Sequence, residues 1–464
     1  MERLYKIRKG LDLNLKGEAA TKMQPLELAE TYAISPTDFT GVVPRLSVKE
    51  GEHVQAGDAL FIDKATERIK FVSPVSGEVV AIVRGERRKL LDIVIKADKQ
   101  QSYKEFGAVD ADAMNGEDVL NLLLESGLFA FFMQRPYDVV ASPADKPKAI
   151  FVSAFSKMPL AADFSFVVKG HEGAFKSGLN LLSKLAKVHL GICPEQEGAS
   201  FIPTKNVEVS VFSGPNPAGN VGVQINHVSP VNKGEVIWTL DPNVVVMIGQ
   251  LLEAGHVDLT RRVAVAGSLV SAPQYVETKI GTPLKHVLKG LADVSNAHAR
   301  IINGSPLVGK KSSSEGFLGA FSKEICVIPE GDDVHEAFGW IAPRFKDFST
   351  NHSYFSWLFG KSRKYDLDCR IKGGQRHMIM SCEYESVFPM DIYPSYLVKA
   401  IITGDIDKQE ELGIYEVAPE DFAVAEFVDS SKLELQRIVR EGLDILRKEM
   451  PKIHNNIYDT KIFR

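Results

Sequence analysis

Cysteine is scarce in this chain. The four, Cys193, Cys326, Cys369 and Cys382, lie far apart among 464 residues, and no CxxC occurs. That argues against a zinc ribbon, a conventional Cys-ligated iron–sulfur site and a disulfide-stapled secreted domain. Long apolar runs are also missing. The longest stretch without Lys, Arg, Asp or Glu, Val209 to Asn232, is broken by Gly214, Pro215, Pro217, Gly219, Gly222 and Pro230, so it is no membrane helix. The segment Met1 to Gly10 is charged and has no apolar core of a secretory signal. There is no excess of positive charge: 55 Lys and Arg against 60 Asp and Glu leave −5, a poor match to nucleic acid. What is present is ordinary for folded soluble proteins, with 44% apolar and 25% charged residues. The length suggests about three domains or four small ones.

Four regions are expected. Within 1–100, the stretch Val48 to Ile95 alternates short β-prone runs with turns at Gly51, Gly57 and Gly77, and its rhythm repeats around Ser73 to Val79. Two such units packed face to face resemble the biotinyl/lipoyl barrel-sandwich hybrid. Asp63-Lys64-Ala65 sits where such carriers present a modified lysine. The hairpin is longer than usual and lacks a Met-Lys-Met context, so Lys64 is read as a surface lysine.

Region 101–255 reads as a Rossmann-like α/β layer. A helix over Gly116 to Ser126, with Gly127 as its C-cap, precedes the strands 149–155 and 187–193. Between those strands, Phe175, Leu179, Leu182 and Leu185 share one helical face. No GxGxxG follows a strand. Gly214 to Gly219 is a near miss for a phosphate loop: Asn220 and Val221 replace the lysine and hydroxyl, and two prolines remove N–H donors, so it is expected to be structural. Region 256–330 reads as a small β-grasp domain. Region 331–464 ends in helices, with Ser431 and Glu434 as a capping box and a core-facing stripe of Leu435, Val439, Leu443 and Leu446.

His227, His352 and His377 are not at metal-ligand spacing, and Cys369 with Cys382 reads as a reduced structural pair flanking a β-like stretch. No catalytic triad, paired-carboxylate or metal site stands out.

The motifs GLDLNLKGE (10–18), SGL (126–128), RPYDVV, KAIFVSAF, GPNPAG, PQYVETKIGTPL, EAFGWIAP, KGGQRHMI and FPMDIYPSYLVKAIITGD occur in this order, and the chain closes on LGIYEVAPEDFAVAEFV. This order resembles the NqrA family, one of the subunit families of the Na+-translocating NADH:quinone oxidoreductases (Na+-NQR), over nearly the whole chain. The resemblance implies a multidomain α/β protein: a barrel-sandwich hybrid, an α/β domain like the flavoprotein scaffold of complex I, a β-grasp (SLBB-like) domain and a C-terminal helical region. It implies a peripheral, cytoplasm-facing component of a membrane complex that oxidises NADH, reduces quinone and pumps Na+. FAD, FMN and iron–sulfur centres are then expected in partner subunits, none in this chain, and no self-contained catalytic site.

Where flavoprotein relatives carry a glycine-rich loop, Ser126-Gly127-Leu128 continues here into bulky residues. Phe131 and Phe132 are expected to stack on a quinone, with Arg135 and Tyr137 as hydrogen-bond donors. The alternatives are an NADH/FMN-binding component of an Rnf-like complex, which the absent glycines and cysteines disfavour, and a lipoyl or biotinyl carrier. Withdrawing one isoprenoid unit from lipid forfeits several kcal/mol at about 0.8 kcal/mol per CH2. A chain without a membrane helix therefore has to meet a long-tailed quinone beside the bilayer. The only dense basic run, Arg84 with Arg87 to Lys89, is short for lipid anchoring, so other subunits are expected to hold it there, without direct membrane insertion.

Overall fold

A computed structural model describes residues 3–107, 110–336, 338–350, 352–360 and 362–459; for residue 340 and residues 450–459 it describes the backbone only. The fold is multidomain α/β.

The barrel pairs Thr31–Ile34, Leu90–Ala97, Gly77–Arg84 and His53–Val54 in one sheet, and Pro44–Leu46, Ala59–Asp63 and Lys70–Val72 in another. Leu60, Phe61, Val75, Val79, Ile93 and Ile95 fill the space between them. Exposed Lys64 follows the strand Ala59–Asp63.

A seven-stranded sheet forms the α/β domain, in the order Arg3–Lys6, Val207–Ser213, Lys187–Ile192, Ala149–Ser153, Ile237–Leu240, Met133–Arg135, Val139–Val140. The first five are parallel. Ala149, Ile150, Phe151 and Val152 are all buried, as strands covered on both faces require. Helix Gly116–Glu125 ends as expected, with Gly127 at φ 76° in the left-handed region. Phe175, Leu179 and Leu182 of helix Glu172–Leu182 are fully buried, and Leu185 lies beyond the helix end.

A six-stranded mixed sheet carries the β-grasp domain, built from Lys310–Ser312, Ala299–Asn303, Glu324–Pro329, Thr260–Ala266, Gln274–Lys279 and Ala20–Pro25. Residues 1–100 therefore do not all stay with the barrel. Arg3–Lys6 extends the parallel sheet and Ala20–Pro25 extends the β-grasp sheet. Both are edge strands whose partners lie about 200 residues or more along the chain, so no local pattern reports them.

The C-terminal helices include Pro394–Thr403, Ala423–Val428 and Leu435–Asp459. Leu435, Val439, Leu443 and Leu446 are fully buried in one apolar cluster, as the stripe requires. The capping box does not form. The Asp429 carboxylate takes the N–H groups of Ser431 and Leu433, and the Ser431 hydroxyl donates to the His377 carbonyl. No helix among the described residues is long and apolar enough to cross a membrane.

Candidate functional site

From the strand Ala149–Ser153 the chain steps outward to Lys187–Ile192 and Val207–Ser213, then returns to the opposite side at Ile237–Leu240. The two strands at this reversal diverge in their connections. A crevice opens beyond their carboxyl ends, the general ligand position of open parallel sheets. A cavity of about 490 Å³ lies there. Ser153, Phe155 and Asp241 line it from the α/β domain, Lys323 and Glu324 from the β-grasp domain, and Glu420 and Arg440 from the C-terminal region.

Within the strand Met133–Arg135, alternation sends Met133 and Arg135 to this cavity. Phe131, Met133 and Arg135 line it, whereas Gln134 faces a second cavity of about 510 Å³. Phe132 turns away too. It is fully buried, stacked on Phe129 with ring centres 5.0 Å apart and edge-on to Trp238 at 5.8 Å. Phe132 packs in the core and lines neither cavity, whereas the sequence places it beside Phe131 against a ligand. Tyr137 lines the second cavity, where its ring lies edge-on to Tyr415 at 6.4 Å. The four residues grouped from sequence therefore divide among two cavities and the core.

Arg135 is 1% exposed. Its guanidinium bonds Asp138, lies 3.5 Å from Glu420, and leaves Nε without a partner. Burial works against the Arg135 charge, but Asp138, Asp421 and Glu420 together raise its pKa. Asp421 is 2% exposed. Burial first, and Glu420 second, push its carboxyl up to about 7 against the pull of Arg135. One Asp421 oxygen accepts the Ala418 N–H at 2.9 Å and the other has no partner. Arg440 closes the turn by donating to the carbonyls of Tyr137 and Asp138 at 2.6 and 2.9 Å.

The segment Pro419–Phe422 rests on the start of helix Val221–Val228, where Asn220 Nδ2 donates to the Glu420 carbonyl at 3.2 Å. Gly222 makes the approach possible, because a Cβ there would lie 2.4 Å from an Asp421 oxygen. Gly222→Ala is expected to cost about 1–3 kcal/mol in denaturant unfolding, as over-packing does. An unchanged midpoint would show that this contact is loose.

The cations at the cavity are all engaged: Arg135 with Asp138, Arg440 with Asp138 and Asp444, Lys323 with Asp241 at 3.2 Å, and Lys310 with Asp38 at 3.4 Å. Burial raises the Asp241 carboxyl, but Lys323 and Arg261 bring it below its ordinary value; burial raises Glu324. A flavin phosphate needs free cations or open backbone N–H groups. Here five carboxylates, Asp38, Asp138, Asp241, Glu324 and Glu420, share the lining, and Leu128–Phe131 is a buried turn in place of a glycine cradle. The residues do not fit a flavin phosphate.

The near-miss loop 214–219 also holds protein. Asn216 is fully buried; its N–H donates to Asp12 and its carbonyl accepts the Leu11 N–H. The four cysteines are free, Cys369 half-buried and Cys382 exposed. Among the described residues the one group with metal-ligand geometry is exposed His298, Asp332 and Asp333, which includes no cysteine and none of His227, His352 and His377.

Local signals could have placed part of this site. The Trp238-Thr239-Leu240 run ending in Asp241-Pro242 is a strand followed by a helix start, and Asp241 does cap helix Pro242–Ala254. The pairings of Asp241 with Lys323 and of Arg135 with Glu420 join residues far apart in the chain and left no such trace.

Three family profiles match the chain. They are described as the NqrA N-terminal barrel-sandwich hybrid domain over residues 5–98, the NqrA second alpha/beta domain over 114–257, and the NQRA C-terminal domain over 262–314. The chain is 35% identical over 452 residues to the corresponding Na(+)-translocating NADH-quinone reductase component of Saccharophagus degradans. It is 33% and 34% identical to those of Marinomonas sp. and Photorhabdus laumondii. Each comparison covers 96% of this chain and 100% of the relative. Among solved structures, an NAD+-reducing [NiFe]-hydrogenase aligns with a TM-score of 0.36 at 12% identity, over 74% of this chain and 66% of that one. Neither the carrier reading of Lys64 nor the Rnf-like, NADH/FMN-binding reading gains support from these matches. By profiles along its length and by end-to-end identity, the chain belongs to the NqrA family of Na+-translocating NADH-quinone reductase subunits.

Proposed function

We propose that this chain serves as the NqrA component of a membrane complex that passes electrons from NADH to quinone and moves Na+. In this reading it sits peripherally on the cytoplasmic face, held by partner subunits. Flavins and iron–sulfur centres belong to those partners. This chain offers quinone a docking cavity beside the bilayer and supplies no redox group of its own.

The observation that carries the reading is the composition of the switch-point cavity. Its volume suits one aromatic head group. Phe131, Phe155 and Phe321 give it an apolar wall. Arg135 and Lys323 offer N–H donors for quinone carbonyls while their charges stay balanced by carboxylates. A neutral ligand suits such a lining better than an anionic one. Tyr137 serves the neighbouring cavity, and Phe132 supports the wall from behind.

Labelling the assembled complex with a photoreactive quinone and mapping the peptides tests this. Label is expected on the peptides holding Phe131–Arg135 and Phe155–Met158, with several-fold weaker labelling in Phe131→Ala. Label confined to other subunits would overturn the quinone role.

A further inference from the structure

The described residues of segment 338–376 are built on the protein body yet turn a large apolar face outward. Inward, Phe348 meets Tyr365 and Phe427 with ring centres 5.2 and 5.8 Å apart, and the Tyr365 backbone bonds Asn14 and Lys16 at 2.8 Å. Outward, Ile341, Phe345, Phe355, Trp357, Leu358 and Phe359 are each 46–63% exposed. Phe345, Phe355 and Phe359 adjoin: Phe345 lies 5.9 Å from Phe355 and 6.1 Å from Phe359, and the Phe355 N–H bonds the Pro343 carbonyl at 3.1 Å; Trp357 and Leu358 stand on the same turn, Phe355–Phe359. At about 200 Å² for each large side chain, half exposed, the six show on the order of 600 Å². That is the upper end for a monomer and approaches one side of a standard protein interface, about 800 Å².

Charge indicates what covers it. Residues 338–376 hold eight Lys and Arg and three Asp, net +5, in a chain whose total is −5. Glu18 and Glu336, which pair with Lys364 and with Arg344 and Arg370, reduce the excess to +3. Arg363 lies over the Phe359 ring at 4.6 Å, which sets a positive charge at the rim of the patch; Lys346 is exposed beside it. A second copy would bring the same positive face and be repelled. Among the described residues Arg344, Lys364, Arg370 and Lys372 are tied to Glu18, Glu336, Asp347 and Asp368, which leaves Lys346, Arg363 and Arg376, short of the roughly four to eight cations that lipid anchoring uses. Aromatic residues with Arg at the rim are the composition of protein interface centres.

We propose that the 338–376 face is the surface by which this chain docks onto another subunit of its complex, and that the partner presents an apolar patch with an acidic rim. The proposal rests on the complex membership proposed above.

The test is recovery of the other subunits on this chain, affinity-tagged, from membranes expressing the whole complex. Wild type is compared with Trp357→Glu/Phe359→Glu and with Ile445→Glu, an exposed apolar site on the C-terminal helix. Thermal midpoints of the isolated chains should agree, since the altered side chains are exposed. Wild type and Ile445→Glu are expected to recover the other subunits equally, and the double variant at least ten-fold less. Equal recovery by the double variant would overturn the docking surface while leaving the complex membership intact. If wild type recovered none, the complex membership would fail and the docking proposal with it. Binding of the isolated chain to phosphatidylglycerol vesicles, or its dimerisation in sedimentation, abolished by the same double variant, would instead assign the patch to lipid or to a second copy.

Discussion

Arg135→Ala is expected to lower the unfolding free energy of the isolated chain by about 3–5 kcal/mol, the cost of stranding buried charges when one partner is removed. Arg135 is nearly inaccessible and stands among Asp138, Glu420 and Asp421, which come from two distant stretches of the chain. Without it, Asp421 loses its opposing cation while Glu420 stays, so its carboxyl rises further. The loss should therefore grow above pH 7 and shrink in mild acid, where the carboxyls take up protons. Denaturant unfolding followed by tryptophan fluorescence at pH 6 and pH 8 measures it. A loss below about 1 kcal/mol at both, the size of a surface ion pair, would show the cluster to be solvated.

Asp421 should make stability depend on pH in the direction opposite to an ion-paired carboxylate whose pKa is lowered in the fold. Its pKa in the fold is raised from 3.8 to about 7. Between those values the native state holds a proton that the unfolded chain has released. Native stability from this group is present at low pH and is lost as pH rises through the window, at of order 1 kcal/mol per pH unit. Asp421→Asn removes the titration. The stability of wild type minus that of Asp421→Asn is expected to fall from pH 4 to pH 7 and level off above. A difference independent of pH would mean that Asp421 is ionised in the fold.

Most of the architecture is legible in the sequence because its signals are local. The glycine turns of the barrel, the apolar run 149–155, the helical face of Phe175, Leu179 and Leu182, and the stripe Leu435 to Leu446 each follow from spacing alone. The site is legible only in part. The segment Phe131–Tyr137 reads as a continuous surface, but Met133–Arg135 is a strand, and period-2 alternation sends neighbouring side chains to opposite faces. That period separates Gln134 from Met133 and Arg135; Phe132 parts from Phe131 because Phe131 ends the turn Leu128–Phe131 while Phe132 packs on Phe129 and Trp238. The carboxylates Glu324, Glu420 and Asp421 are out of reach, because the three regions they join converge only through packing. Ser431 with Glu434 fails as a capping box because Asp429, two residues earlier, takes the N–H groups it would have organised.

We propose that this member of the NqrA family carries no flavin or iron–sulfur group of its own in the switch-point cavity, whose cations are already paired with carboxylates. The most direct measurement is flavin and iron content of the full-length chain, purified away from its partners under reducing, anaerobic conditions. Neither flavin absorbance nor protein-bound iron is expected. One flavin or one iron–sulfur cluster per chain would overturn this proposal.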